Sequence, residues 1–250
     1  TVDATGVLSK LIEAKSEYDQ EMVRRSASIG DATMWEALRT CGEGVPEYEV
    51  GIAADRVAAA RGCEYGSGTQ TRTHIYVASS SELTSNVRPF RYTGRRLERG
   101  DMFFIDLSVC YRGYYTDFCR TVVVGEPTAE QQTVYDVVRD CHQYLIDNLK
   151  PGLTGAEIFD LSVVPVHEQA PQYSDKLNFV WAGHGTGLII SEPPFFTTGE
   201  QRQIQPNTFI NIEPGLFVPG VGNSSIEDML FVSDTGVSLV TECPRELHVA

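Results

Sequence analysis

The sequence predicts an α+β fold built as two related halves, each a pair of helices followed by antiparallel strands. Two observations carry this. The order helix, Gly/Pro break, helix, strands occurs twice, with VPEYEV at 45–50 returning as LTGAEI at 153–158. Each half also holds an apolar strand pair interrupted by two acids, Asp106 and Asp117 in the first and Glu213 and Glu227 in the second. With 250 residues, 42% of them hydrophobic, the chain can fill a large core. A duplicated unit of this kind tends to place its site at the seam between the halves.

The elements follow in order. The opening stretch, TVDATGVLSKLIEAKSEYDQEM, has no long apolar core and many acids, so it does not resemble a secretory signal. It lacks an initiator Met, so the start is processed or trimmed. Residues 16–41 carry apolar residues at helical spacing (Met22, Ala27, Ile29, Met34, Ala37, Leu38), with Ser16 as the N-cap. After the break GEGVP, a second helix runs through EYEVGIAADRVAAARG and ends at Gly62. THIYVAS at 73–79 reads as a strand. Gly100–Asp101 then turns the chain into FFIDLSVCYRGYYTDFCRT, two β-prone strands around a tight turn at Tyr111–Gly113.

A turn centred at 111–112 puts Asp106 opposite Asp117. A turn at Arg112–Gly113 puts Asp106 opposite Cys119, with Asp117 next on that face. Both registers point the two carboxylates the same way, whereas a three-residue loop without a bulge would split them. Like charges facing each other in an apolar hairpin repel and lose hydration, so a cation is expected between them.

In the second half, a helix follows Thr128 and Glu130, and KPGLTGAEIF opens another. NFVWAGHGTGLIISEPPFF places His184 on what reads as a Gly-rich turn. In the last strand pair, a three-residue loop at Pro219–Val221 sets Glu213 opposite Glu227. LVTECPRELHVA closes the domain.

A net charge of −14 argues against a nucleic-acid or anionic-membrane partner. No apolar run approaches membrane-spanning length. The six cysteines form no CxxC pair or zinc-finger spacing and read as buried reduced thiols of a cytoplasmic protein, although Cys110 and Cys119 flank the acidic hairpin and could pair across it.

Taken singly, Asp117, Glu192 and Asp228 read as edge or solvent-facing acids, His184 as a hydrogen-bonded turn residue, and His142, His167 and His248 as histidines without a special role. Joint occurrence shifts the balance. Four carboxylates and one imidazole suit two divalent first-row ions, Mn, Fe, Co or Zn, better than a structural zinc. Two ions about 3.5 Å apart could deprotonate a water and polarise a carbonyl.

IDLSVCYRGYYTDFCRT, GHGTGLIISEPP, INIEPGLF and SSIEDML together resemble the methionine aminopeptidase, Xaa-Pro peptidase and creatinase family, nearly from end to end. The resemblance implies the pita-bread fold, a pseudo-twofold pair of α/β halves whose curved antiparallel sheet is covered by helices. It implies that Asp106, Asp117 and Glu227 hold one metal. Asp117, His184, Glu213 and Glu227 would hold the other, with Glu213 also handling protons for a bridging hydroxide. It further implies a homodimer. Residues 1–250 read as one catalytic domain, either the catalytic half of a longer two-domain protein or a short single-domain member.

Two positions depart from the family pattern. Arg88 and Ser191 stand about where its peptidases carry the histidines that steady the scissile amide. Arg cannot serve as an acid or base near neutrality but grips carboxylates in a bidentate fork, and Ser can only hydrogen-bond. His74, on its strand, is a further candidate for substrate contact. The expected function is therefore a dinuclear metallohydrolase of the Xaa-Pro peptidase type, cleaving a C–N amide in a dipeptide or small carboxylate-bearing substrate. The alternative is a non-peptidase member, an amidohydrolase of small molecules or a metal-dependent lyase. A metal-free binding module comes last, because the ligand set is complete.

Overall fold

A computed structural model describes residues 5–64, the backbone of 74–77, and residues 94–177 and 182–250. Arg88 lies outside the described residues, as does the side chain of His74.

Helix α1 (Thr5–Glu13), which is not among the expected elements, precedes α2 (Glu17–Thr40) and α3 (Glu47–Ala60). Ser16 caps α2 through a full capping box with Asp19, and Gly62 stops the chain after α3 with φ +88°. Strand β1 (His74–Val77) follows, then β2 (Met102–Tyr111) and β3 (Tyr114–Val123). The turn of this hairpin is Arg112–Gly113, with φ of 52° and 80°, as a type I′ connection requires. Asp106 therefore faces Cys119, and Asp117 faces Ser108. Of the two registers open from sequence, this is the second.

Strand alternation divides the hairpin's chemistry. Phe103, Ile105, Leu107, Val109, Phe118 and Val122 pack with residues of α2 and α3 in one apolar cluster. Asp106, Ser108, Asp117 and Cys119 occupy the opposite face. Gly30 of α2 allows the approach, since a Cβ there would meet Thr116 at 2.7 Å and Phe118 and Val109 at 3.0 Å. Cys110 pairs with Tyr115 and Cys119 with Asp106. These cysteines sit four residues apart along the ladder, about 13 Å, too far to bridge. All six cysteines are free thiols, and all but Cys41 are buried.

The second half repeats the plan. Helices α4 (Ala129–Asn148) and α5 (Gly155–Gln169) each start from a capping box, Thr128 with Gln131 and Thr154 with Glu157. A short 3-10 turn, Pro171–Tyr173, follows. The strands are β4 (Gly183–Thr186), β5 (Glu192–Phe195), β6 (Thr208–Ile212), β7 (Gly215–Val218), β8 (Gly222–Ser225), β9 (Asp228–Ser233), β10 (Gly236–Leu239) and β11 (His248–Val249). They form a five-stranded sheet in the order β10-β9-β6-β4-β5 and a two-stranded ribbon β7-β8. The first sheet runs β1-β2-β3-β11, so the C-terminus closes against β3. Side chains of α4 and α5 pack with both the five-stranded sheet and the ribbon. No helix among the described residues is long and apolar enough to cross a membrane.

The three-residue loop at 219–221 is present, with Val218 opposite Gly222. The strands are interrupted at the acids, but Ile212↔Asp228 on one side and Gly215↔Ser225 on the other keep one register, so Glu213 lies opposite Glu227 as expected. Glu213 falls between β6 and β7, and Glu227 between β8 and β9. Each glutamate sits where the hairpin passes between the five-stranded sheet and the ribbon, Glu213 on the way into the ribbon and Glu227 on the way out.

Candidate metal centre

The two sheets meet along the first half of β3. Tyr115 N–H donates to Gly187 O at 2.7 Å. Cys119 forms an antiparallel bridge with Glu227, the two exchanging N–H···O bonds of 3.3 and 3.2 Å. This junction carries Asp117 beside Glu227. One carboxylate oxygen each from Asp106, Asp117 and Glu227 lies within 4.8 Å of the others, and all three residues are buried. His184 Nε2 stands 3.6 Å from Asp117 Oδ2 and 3.4 Å from Glu213 Oε1. The five predicted ligands thus form one buried group at the seam.

His184 lies in strand β4 and not on a turn. Its flanking glycines serve close approach instead. A Cβ on Gly183, whose φ is +148°, would sit 2.0 Å from Asn211 O, and one on Gly185 would sit 2.7 Å from Pro193 O. Gly183→Ala is therefore expected to push β4 off β6 and carry His184 with it. The cost is about 2–5 kcal/mol, read as a fall in melting temperature of roughly 5 °C or more. A melting curve matching the parent's would refute this account of the glycine.

The imidazole is oriented by its neighbours. Nδ1 faces the carbonyl of Gly185 at 2.9 Å, an acceptor only, so Nδ1 carries the proton. Nε2 is then the lone-pair nitrogen, aimed at Asp117 and Glu213, with the hydroxyl of Ser191 donating to it at 3.2 Å. Ser108 Oγ donates to Asp117 Oδ1 at 2.6 Å and fixes that carboxylate. This is the pattern by which outer groups orient metal ligands. Hard carboxylate oxygens with one neutral imidazole, shielded from water, fit a divalent first-row cation.

Asp117, Glu192 and Asp228 are all buried, so the solvent-facing reading of each as a lone acid is corrected. Glu192, next to Ser191, pairs with the buried Lys15, whose Nζ also donates to Ile12 O and Glu13 O. Burial raises the Glu192 carboxyl above the usual range, with Lys15 opposing. Asp228 is held by Arg120 Nη2 and Thr241 Oγ1 at 2.7 and 2.6 Å, with His142 Nε2 3.1 Å away. His142 thus has a structural role that its place on a helix did not reveal. Among the sequence candidates, Ser191 reaches the centre directly. His74 is placed by backbone register alone, opposite Ser108. Sequence reasoning missed Lys15, Ser108, Arg120 and Asn211. Arg120 and Asn211 carried a usable signal, a polar residue inside an apolar strand, the same feature that singled out the acids.

A family model described as metallopeptidase family M24 matches residues 21–234. The Xaa-Pro dipeptidase of Pyrococcus horikoshii is 29% identical over 233 residues, covering 93% of this chain and 64% of that protein. The Xaa-Pro dipeptidase of Pyrococcus furiosus is 29% identical over 242 residues, covering 96% and 66%. The chain thus spans just under two thirds of the length of these curated relatives. Among solved structures, the Pyrococcus horikoshii prolidase superposes with a TM-score of 0.88 at 27% identity, over 97% of this chain and 67% of that one. The Pyrococcus furiosus prolidase gives 0.86 at 28%, over 96% and 68%. The fold is the pita-bread fold of these prolidases.

Proposed function

The chain belongs to metallopeptidase family M24, and from that premise we propose that it is a dinuclear-metal-dependent hydrolase of the Xaa-Pro peptidase type. The observation that carries this is the buried group of three carboxylates within 4.8 Å, extended by His184 and Glu213. Asp106, Asp117 and Glu227 would hold one ion, and Asp117, His184, Glu213 and Glu227 the other. When bound, the pair of cations would acidify a water and polarise the amide carbonyl.

The remaining work falls to side chains. Glu213 takes the proton of the attacking water and returns it to the leaving nitrogen. Ser108 keeps Asp117 turned toward the centre, and Gly185 O keeps His184 in the tautomer that presents Nε2. Arg88 is assigned to the substrate carboxylate. Homologous proteins named Xaa-Pro dipeptidases suggest a dipeptide with proline in second place. A homodimer belongs to the same reading.

The test is direct. The chain is stripped with chelator, reloaded with Mn²⁺, and offered a panel of Xaa-Pro dipeptides. Metal-dependent release of proline is the expected result. Absence of bound metal after saturation would sink the reading.

A second reading has its own observation. Ser191, which by the resemblance stands about where the family's peptidases carry a histidine, spends its hydroxyl on His184 Nε2. A serine there cannot supply a proton to an amide nitrogen at neutral pH, which favours a small-molecule amidohydrolase or a lyase. Ser191→His separates the two. If the chain is a peptidase, the variant gains turnover on Xaa-Pro dipeptides, read as kcat at saturating Mn²⁺. If it is not, dipeptide cleavage stays at background in both proteins.

A further inference from the structure

The two bridging candidates, Asp117 and Glu227, come from different halves of the chain, and nothing in either hairpin alone fixes the gap between them. A polar seam crosses that gap. Asn211 of β6 is fully buried and faces two carbonyls, Asp117 O and Asp228 O, which only its amide nitrogen can meet. Nδ2 donates to them at 3.1 and 2.8 Å. Arg120 of β3, also buried, spreads its guanidinium over the same junction. Its Nη1 donates to Cys119 O and Glu227 O, both at 2.7 Å, and its Nη2 to Asp228 Oδ1 at 2.7 Å. Its far edge reaches Cys243 O at 2.6 Å and Pro244 O at 2.8 Å.

One amide and one guanidinium therefore tie the backbone at Asp117 and Cys119 to the backbone at Glu227 and Asp228. We propose that Asn211 and Arg120 are positioning residues that set the span between the carboxylates of Asp117 and Glu227, and so the pair of cations the centre can hold. This rests on the metal reading above. Neither residue touches the cluster with its own side chain. Each acts through main-chain carbonyls of the ligand-bearing segments, which is how a donor outside the ligand shell tunes a metal site.

The experiment titrates chelator-stripped chain with Mn²⁺ alone, by calorimetry and by electron paramagnetic resonance. The parent is expected to bind two ions with an exchange-coupled spectrum. Asn211→Ala and Arg120→Lys are expected to weaken Mn²⁺ binding about 10- to 100-fold and to replace the coupled spectrum with that of isolated ions. Asn211→Ser, which keeps one donor, should recover part of the loss. Ser26→Ala removes a buried bond to Val109 O elsewhere on the hairpin and should lower the melting temperature with unchanged Mn²⁺ affinity. Normal affinity and coupling in Asn211→Ala and Arg120→Lys, at reduced melting temperature, would overturn the inference. So would failure of both to fold, since the seam would then serve the fold as a whole. A parent that binds no Mn²⁺ removes the metal reading itself, a distinguishable failure.

Discussion

Glu213→Gln is expected to lower turnover about 10²- to 10⁴-fold, the range for losing a positioned acid–base group, while the chain still folds. The substitution keeps shape and volume. Glu213 N–H still bonds Ala182 O at 3.0 Å, so the backbone entry from β6 is preserved. What changes is the head group. An amide cannot accept the proton of a water, and its NH₂ edge presents donors where a cation needs an acceptor. The 3.4 Å approach to His184 Nε2 shows how little room there is for the amide to turn away. The measurements are kcat on the best Xaa-Pro substrate, metal content by elemental analysis, and circular dichroism. Loss of activity with weakened metal retention fits a residue that is both ligand and proton carrier. Undiminished turnover would remove Glu213 from the chemistry.

The sequence made the candidate ligands visible because they break a strong pattern. A carboxylate in a run such as FFIDLSV or FINIE stands against β-propensity and burial together, and four such breaks in two matching hairpins are hard to explain otherwise. Helix starts were equally legible, since Ser16, Thr128 and Thr154 announce themselves through local hydrogen bonds of short sequence range. Less could be read where the cause is long-range. His184 looked like a turn residue because GHGTG is glycine-rich, yet its glycines answer to Asn211 O and Pro193 O, which lie on other strands. The register of the second hairpin follows from its three-residue loop, but the interruption of its arms at the acids depends on a change of sheet that no local spacing encodes. Lys15 and Glu192 are 177 positions apart, and neither carries a mark of its partner. Helix α1 was legible in principle, since Val7, Leu8, Leu11 and Ile12 stand at helical spacing, although Val7, Leu8 and Leu11 remain exposed.

The largest expected loss of stability comes from Asp228→Ala, about 3–5 kcal/mol, because it strands the Arg120 guanidinium in a site where both partners are almost wholly buried. The same pair sets an acid limit. Burial alone would raise the Asp228 carboxyl, but Arg120, with His142 and Thr241, holds it at about 2, below the ordinary 3.8. A depressed carboxylate contributes stability that is fully present above its unfolded pKa and is lost as pH falls from about 4 toward 2. At about 1.4 kcal/mol per pKa unit this amounts to roughly 2 kcal/mol. His142 acts over a higher window. Burial holds its pKa below 6.5 against the opposing pull of Asp228, with Arg120 and Arg245 adding to the burial. The folded state therefore binds fewer protons than the unfolded one, and stability drains as pH drops below about 6.5. Denaturant melts between pH 7 and pH 3 should show a decline that begins near 6.5 and steepens below 4. In His142→Gln the upper part of that decline should shrink, leaving what His248 supplies through its own burial, while the lower part stays. In Asp228→Asn, stability is lower at pH 7 and the steepening below 4 should be absent. A His142→Gln profile that falls as steeply as the parent's between pH 7 and 4 would show that His142 takes up no proton on unfolding, and that the acid response of the network behind Glu227 comes from Asp228 with Arg120 and Thr241.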